Sequence, residues 1–282
     1  MCRIDRRRID LPFTPDRPAR TGGGGMIGAY VINLETAQAR RERIAGQLTR
    51  LGVPFQVFAA VNGRALAEDE VARRYDAQAA STSYRPMSRG EIGCALSHLG
   101  VYRKMLEDGA SLALVLEDDA LLGDDVPAVL EALASELDPD RPDVVLLSHV
   151  DKFTRWGIRP LGQRRKLVRR YGEWWRAHGY VVTRAAAERL VAGLQPTWCA
   201  ADYWSAFERR GLVSVRAVVP YCIGLTELAE ASSLETHRAD LDATDKARRS
   251  VGYYLRRYVY QRFLFQVFVR PFLRVARQKR PG

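Results

Sequence analysis

The sequence predicts an α/β fold with a mostly parallel central sheet, and three observations carry that expectation. Short all-apolar runs at 112–116 and 144–147 have the composition of strands buried on both faces of a sheet. Other stretches place apolar residues at helical spacing, as at 37–51, where Ile44, Leu48 and Leu51 recur. Strand-like and helix-like segments then alternate along most of the chain, the pattern of successive βαβ units.

In chain order, residues 1–25 are rich in Arg and Pro and end in four consecutive glycines. Such a segment buries too little apolar surface to offset the entropy of ordering it, so it is expected to be a disordered extension. Met26 opens the first strand, 27–34, which is followed by the helix at 37–51. A second strand at 53–61 closes on an Asn62-Gly63 turn. A polar stretch runs on to Tyr84. Ser88 and Glu91 have the spacing of a capping box for a helix over 91–107, and Gly109 supplies its stop. The strand at 112–116 runs directly into Glu117-Asp118-Asp119, and a helix at 126–137 and the strand at 144–147 follow. Residues 152–175 are basic and read as a loop. A strand at 179–183, helices at 184–194 and 202–210 and a strand at 213–219 lead to the end of a folded domain spanning 26–245.

Hydrophobic residues make up 47% of the 282-residue chain, which is ordinary for a globular protein. The net charge of +11 is unevenly placed. Residues 246–282 hold eleven Lys or Arg and no Asp or Glu, while the rest of the chain holds 33 of each sign. A neutral body with a basic tail points to a localised electrostatic contact. It argues against a nucleic-acid groove through the fold, and no recognised nucleic-acid motif accompanies it. In a helical projection of the tail, Arg249, Arg256, Arg270, Arg274 and Arg277 fall on one side. Between them lie Phe263, Leu264, Phe265, Val267, Phe268 and Val269, too few to span a bilayer, and Pro271 divides any helix. This is the composition of an interfacial helix, so 246–282 is expected to be a basic amphipathic helical tail meeting an anionic membrane surface. Packing against the protein itself or a second copy is the other reading.

Cys2, Cys94, Cys199 and Cys222 form no CxxC pair and are too few to imply a disulfide framework. The N-terminal arginine cluster lacks an apolar h-region, and no run of about eighteen apolar residues occurs. The expected location is therefore cytoplasmic, peripheral at the inner face of the cytoplasmic membrane.

The chemistry concentrates at Glu117-Asp118-Asp119. In an open α/β sheet ligands bind outside the carboxyl ends of the strands, where these three residues fall. Adjacent carboxylates repel, and a hard divalent cation, Mn2+ or Mg2+, offsets that repulsion with oxygen ligands. Such a cation completes its shell with water and a substrate phosphate, an arrangement suited to a nucleotide-sugar diphosphate. The bland alternative is a solvated acidic turn at a helix N-terminus.

The surrounding residues decide between the two. The first block is Ala29-Tyr30-Val31-Ile32-Asn33-Leu34 with Arg40-Arg41, followed by Ala60-Val61-Asn62-Gly63. The second runs from Ser88 to His98 and contains Gly90-Glu91-Ile92-Gly93-Cys94. The third is Leu114-Val115-Leu116-Glu117-Asp118-Asp119, and the fourth is His178-Gly179-Tyr180-Val181-Val182-Thr183. Asp202 and Ser232-Ser233 follow. In this order, over roughly 27–235, the chain resembles glycosyltransferase family 25, the lipooligosaccharide biosynthesis transferases.

The resemblance implies a GT-A-like nucleotide-sugar-binding fold and metal-dependent hexosyl transfer with inversion, with galactose as the expected sugar. The UDP-sugar donor would be held by Asn33, Arg40, Glu117 and Asp118, and the metal by Glu117 and Asp119. Transfer with inversion needs a base for the acceptor hydroxyl. Asp202 is the candidate, with Asp151 and Glu173 behind it, and an N-cap is its structural reading. His178 is placed as a second catalytic residue, contacting donor or acceptor. His98 reads equally as a core histidine or a site residue. Gly93 and Cys94 read as helix packing, Trp174 and Trp175 as packing or a sugar platform, and Arg43 as a second basic group near the diphosphate. His237 is a weak further metal candidate. Asn62 stands where the family has Asp, and Ala200-Ala201-Asp202 departs from its Pro-x-Asp. The acceptor would be a glycolipid or other glycan. The competing function is a non-catalytic relative that binds carbohydrate or a partner.

Overall fold

The computed structural model describes residues 27–83, 85–226 and, as backbone alone, 273–275. Strand β1 (Gly28–Asn33) is almost wholly buried, as its apolar run requires. Helix α1 (Gln38–Arg50) turns Ile44 and Leu48 inward and leads to β2 (Phe55–Ala59). The polar stretch expected up to Tyr84 contains two short helices, α2 (Glu68–Arg74) and α3 (Ala77–Ser83). Together they bury only Ala80, so no apolar stripe announced them.

Helix α4 (Arg89–Glu107) starts with the capping box. Ser88 Oγ accepts from Glu91 N at 3.3 Å, and Ser88 N donates to Glu91 Oε2 at 2.7 Å. The helix stops at Gly109, whose φ of +70° is left-handed. Strand β3 (Leu112–Glu117) carries the carboxylates out of the sheet, and the chain turns back as β4 (Ala120–Leu122). Helix α5 (Val126–Glu136) and strand β5 (Asp143–Leu146) follow the expected alternation. The basic segment expected to be a loop holds β6 (Lys152–Thr154), β7 (Arg159–Leu161) and β8 (Arg165–Arg169). Leu161, Leu167 and Val168 are its buried anchors, and the arginines between them obscured the pattern. Beyond lie β9 (Gly179–Thr183), α6 (Arg184–Gly193), α7 (Trp204–Arg209), β10 (Ser214–Val219) and β11 (Ile223–Leu225).

Eight strands form the central sheet in the order β2-β1-β3-β9-β5-β10-β8-β7. The sheet is mixed, which corrects the mostly parallel expectation. Pairs β1–β2, β1–β3 and β5–β10 are parallel, but β9 runs antiparallel to both β3 and β5, and β8 to both β10 and β7. Burial on both faces made β9 look like a parallel strand, because composition reports burial and not direction.

Side chains alternate across this sheet into two cores. Val115, Tyr180 and Val182 meet Leu99 and Tyr102 of α4, Leu190 of α6 and Trp204 of α7. Leu114, Leu116 and Val181 meet Ile44 and Leu48 of α1 and Leu130 and Leu133 of α5 on the other face. The result is a three-layer α/β/α domain. Among the described residues no helix is long and apolar enough to cross a membrane.

The tail lies almost entirely outside the described residues. Its described piece, β12 (Leu273–Val275), is a strand antiparallel to β6, so at those positions, Arg274 included, the expected helix gives way to sheet pairing. His237 and Ser232-Ser233, like residues 1–25, also fall outside the described part.

Helix α4 is seated on the turn after β2 by two glycines and a serine. A Cβ on Gly93 would lie 2.5 Å from Gly63 N and 2.6 Å from Val61 O, both backbone atoms. Ser97 Oγ accepts from Val61 N at 2.8 Å and donates to Gly93 O at 2.7 Å. Gly90 has no such neighbour, its nearest being Ser88 Oγ at 4.0 Å. Gly93→Ala should therefore destabilise by about 1–3 kcal/mol through overpacking, while Gly90→Ala should be neutral or stabilise by up to about 1 kcal/mol. Urea denaturation of the two variants reads the difference, and equal midpoints would contradict this account of the helix seat.

Candidate active site

The topology gathers the site at one edge of the sheet. The chain steps outward from β1 to β2, then back across β1 to β3, which opens a crevice at the carboxyl ends of β1 and β3. Asn33 ends β1 and Glu117 ends β3, with Ile32 paired to Glu117 in register. Strand β9 runs the other way, so its first residues arrive at this same edge. Leu116 pairs with Gly179, and Glu117 N donates to His178 O at 3.1 Å.

Each of the three carboxylates meets a different environment. Asp118 is only 6% exposed and is fully engaged. Its Oδ2 accepts from Asn33 Nδ2 at 2.7 Å, its Oδ1 pairs with Arg40 Nη1 at 3.3 Å, and its carbonyl accepts from Arg43 Nη2 at 3.5 Å. Burial still pushes its carboxyl up, with Asn33 and Arg40 opposing. Glu117 lies 3.3 Å from His98 Nε2. Burial pushes Glu117 up, but the hydrogen bond and charge of His98, helped by His178, hold it below the usual carboxylate value. Asp119 is less well compensated, by the charge of Arg40 and a backbone hydrogen bond alone. Its Oδ1 is buried with no hydrogen-bond partner among the described residues. Burial, then the charges of Glu117 and Asp118, push its carboxyl up to about 7.

That orphaned oxygen tests whether a cation fits. Buried acceptors are satisfied as a rule, and the exceptions mark where a ligand or ion is expected. The donors at hand, Asp119 Oδ1 and the Glu117 carboxylate, are hard oxygens suited to Mn2+ or Mg2+. Asp118 is already engaged by Asn33 and Arg40, so Asp119 is the least compensated of the three.

Helix α4 lines the opposite wall with residues four apart on one face: Cys94, His98 and Tyr102. His98 Nδ1 lies 2.8 Å from Tyr180 Oη, which lies 2.7 Å from Tyr102 Oη. This buried chain fixes the imidazole that faces Glu117. His178, 4% exposed, is pushed down to about 4 by burial, partly offset by the charge of Glu117, so it is neutral at neutral pH. Its Nε2 is buried without a partner among the described residues. Asp202 does not open a helix as expected. It lies in the turn before α7, two residues ahead of Trp204. Burial, and then the charge of Glu117, raise its carboxyl, while the Arg176 backbone N–H opposes the rise. Arg176 itself has a left-handed φ of 90° and its carbonyl accepts from Trp204 Nε1 at 3.0 Å.

The structure thus brings together Asn33, Arg40, Glu117, Asp118, Asp119, His178 and Asp202. It sets the alternative bases elsewhere. Asp151 is 83% exposed beside His149, and Glu173 is tied to Arg209 and Ser205. Trp174 is core, with Nε1 donating to Lys152 O at 2.8 Å, and Trp175 stacks on Tyr203 at 4.4 Å. Gly93 packs as expected, but Cys94 does not. The residue is solvent-accessible, but its thiol is enclosed: burial, then the charges of Glu117, Asp202, Glu91 and Asp119, push it well above the usual thiol value. Sequence reasoning also missed Tyr102 and Tyr180. Tyr102 could have been found from its spacing one turn beyond His98.

A family model described as Glycosyltransferase family 25 (LPS biosynthesis protein) matches residues 26–204. A "Glycosyltransferase 25 family member" of Aedes aegypti is 30% identical over 190 residues, which cover 64% of this chain and 30% of that one. The lacto-N-neotetraose biosynthesis glycosyltransferase LgtE of Neisseria meningitidis serogroup B is 29% identical over 190 residues, covering 63% and 65%. Procollagen galactosyltransferase 1 of Danio rerio is 25% identical over 193 residues, covering 62% and 30%. The chain therefore spans less than a third of the length of the insect and fish relatives. Because the family model matches more than half of the chain, a segment that includes the carboxylate triplet, His98, His178 and Asp202, the chain belongs to glycosyltransferase family 25.

Proposed function

We propose that the protein transfers a hexose, galactose first among candidates, from a UDP-sugar to a lipooligosaccharide or other glycan acceptor, with inversion and on a GT-A-like fold. The observation that carries this reading is the Asp119 carboxylate beside Glu117 at the strand-end crevice, with a buried oxygen that has no partner among the described residues. The choice of galactose is supported by the name of one relative, procollagen galactosyltransferase 1, and a glycan acceptor by that of the lacto-N-neotetraose biosynthesis glycosyltransferase.

In this reading Glu117 and Asp119 hold Mn2+ or Mg2+, which when bound neutralises charge on the departing diphosphate. Asn33 and Arg40 border the donor crevice, and Asp118 keeps both in place. His178, neutral and with a free buried Nε2, accepts a hydrogen bond from a sugar or acceptor hydroxyl. Asp202 takes the acceptor proton. A raised carboxyl pKa brings a base nearer to working pH and makes proton transfer more favourable. The basic tail at 246–282, of which only 273–275 are described, is assigned to an anionic membrane surface where a lipid-linked acceptor would lie.

Asp119→Asn removes a charge that its neighbours repel, so its melting temperature should equal or exceed that of the parent while transfer from UDP-galactose drops below detection. Chelator should silence the parent enzyme and manganese should restore it. Full transfer in chelator would end the metal-dependent reading.

Asp202→Asn keeps shape and loses basicity. Its turnover should fall about a hundredfold or more with donor affinity nearly unchanged, as read by kinetics alongside calorimetric titration of UDP. A collapse of UDP binding instead would make Asp202 a donor ligand.

Each Lys or Arg near an anionic bilayer contributes about 1 kcal/mol. The full chain should therefore sediment with anionic vesicles at low salt and release as salt rises. Indifference to such vesicles at low salt would remove the membrane from the proposal.

A further inference from the structure

The carboxylate edge is faced by donors of a second kind. Cys94 and His98 lie one turn apart on α4 and point toward Glu117. The Cys94 sulfur, a His98 ring nitrogen and a Glu117 carboxylate oxygen all lie within 4.8 Å of one another. The His98 Nε2 to Glu117 Oε1 separation is 3.3 Å. Two ligands each about 2.0–2.1 Å from a tetrahedral zinc ion stand about 3.3 Å apart. The nitrogen and oxygen are thus already spaced as two corners of such a site, and the thiol needs to close by roughly 1 Å to supply the third.

We propose that Cys94, His98 and Glu117 form a binding site for a thiophilic divalent cation, with Zn2+ as the fitting ion, and that occupation of this site withdraws Glu117 from the hard-cation site it shares with Asp119. The donor set is the reason for the selectivity. Thiolate and imidazole favour zinc, whereas manganese and magnesium favour the oxygens of Glu117 and Asp119. Three protein ligands leave a fourth position for water, the arrangement of an open zinc site. The second shell is in place as well. Tyr180 Oη, itself held by Tyr102, lies 2.8 Å from His98 Nδ1 and fixes the ring with Nε2 toward Glu117. Binding displaces the thiol proton to solvent and forms the sulfur–metal bond, with no change of oxidation state. Burial and then the charges of Glu117, Asp202, Glu91 and Asp119 push the free thiol up, and those same charges attract the cation whose arrival displaces the thiol proton.

The binding claim stands apart from the enzymatic one, while the inhibitory consequence rests on the proposed metal-dependent transfer. Cobalt(II) added to the full, reduced, metal-stripped chain should give a thiolate-to-cobalt charge-transfer band with tetrahedral d–d absorption, and one equivalent of zinc should bleach both. Zinc should also protect Cys94 of the unaltered chain from alkylation, as read by peptide mapping. Cys94→Ala should keep its melting temperature and lose the band. No band, a band that survives Cys94→Ala, or unprotected alkylation overturns the site. For the consequence, zinc should inhibit manganese-supported transfer, excess manganese should relieve it, and Cys94→Ala should raise the zinc concentration needed by at least about tenfold, each protein read against its own zinc-free rate. Unchanged zinc sensitivity in Cys94→Ala overturns the coupling. Absence of transfer with any donor overturns the function proposed above and leaves the cobalt result to decide the binding site alone.

Discussion

Three carboxylates in succession at the end of a buried strand cannot all be stabilised in the same way, and the site is organised around that constraint. The backbone of β3 sends Glu117, Asp118 and Asp119 to different neighbours. Asp118 draws in Asn33 from β1 and Arg40 and Arg43 from α1, tying the first strand and helix to the turn. Glu117 is met by His98 of α4 and lies beside His178, which ties the turn to the opposite wall. Asp119 is left with a buried, unpartnered oxygen. In a low-dielectric setting such a group is costly unless something arrives to satisfy it. The triplet therefore acts both as a structural hub, through Asp118, and as an incomplete binding site, through Asp119.

The second constraint is the close approach of α4. Gly63 and Gly93 leave backbone against backbone, and Ser97 bridges the two segments. The sequence blocks around Asn62-Gly63 and Gly90–His98 are distant in the chain but form one contact in space. Their joint presence beside the Glu-Asp-Asp block is informative for that reason, since the helix seat sets how far His98 and Cys94 stand from Glu117.

Much of this was legible from residues alone. The capping box at Ser88, the stop at Gly109 and the strand leading into the carboxylates follow from local chemistry, which acts over a few residues. The direction of β9 was not legible, because a strand buried on both faces has the same composition either way. Nor were β6, β7 and β8, whose arginines pair with distant acids such as Arg159 with Glu136. Of the site, the acidic triplet could be placed by position, whereas Asp202 was placed at a helix start and lies in the turn before one. The approach of Cys94 to Glu117 and the Tyr102–Tyr180–His98 chain depend on the angle at which α4 crosses the sheet, which no local pattern encodes.

Reversal of β9 has a consequence for how such a site can diversify. The edge is reached from two directions, by β1 and β3 as they end and by β9 as it begins. The segment delivering β9 runs from the end of β5 through β6, β7 and β8 to His178. Lengthening the turns between those strands costs little, about 0.6 kcal/mol per doubling of a flexible loop, and the register of β9 is pinned by both its neighbours. Those turns can thus grow while the strand ends bearing Asn33 and the acidic triplet remain unaltered.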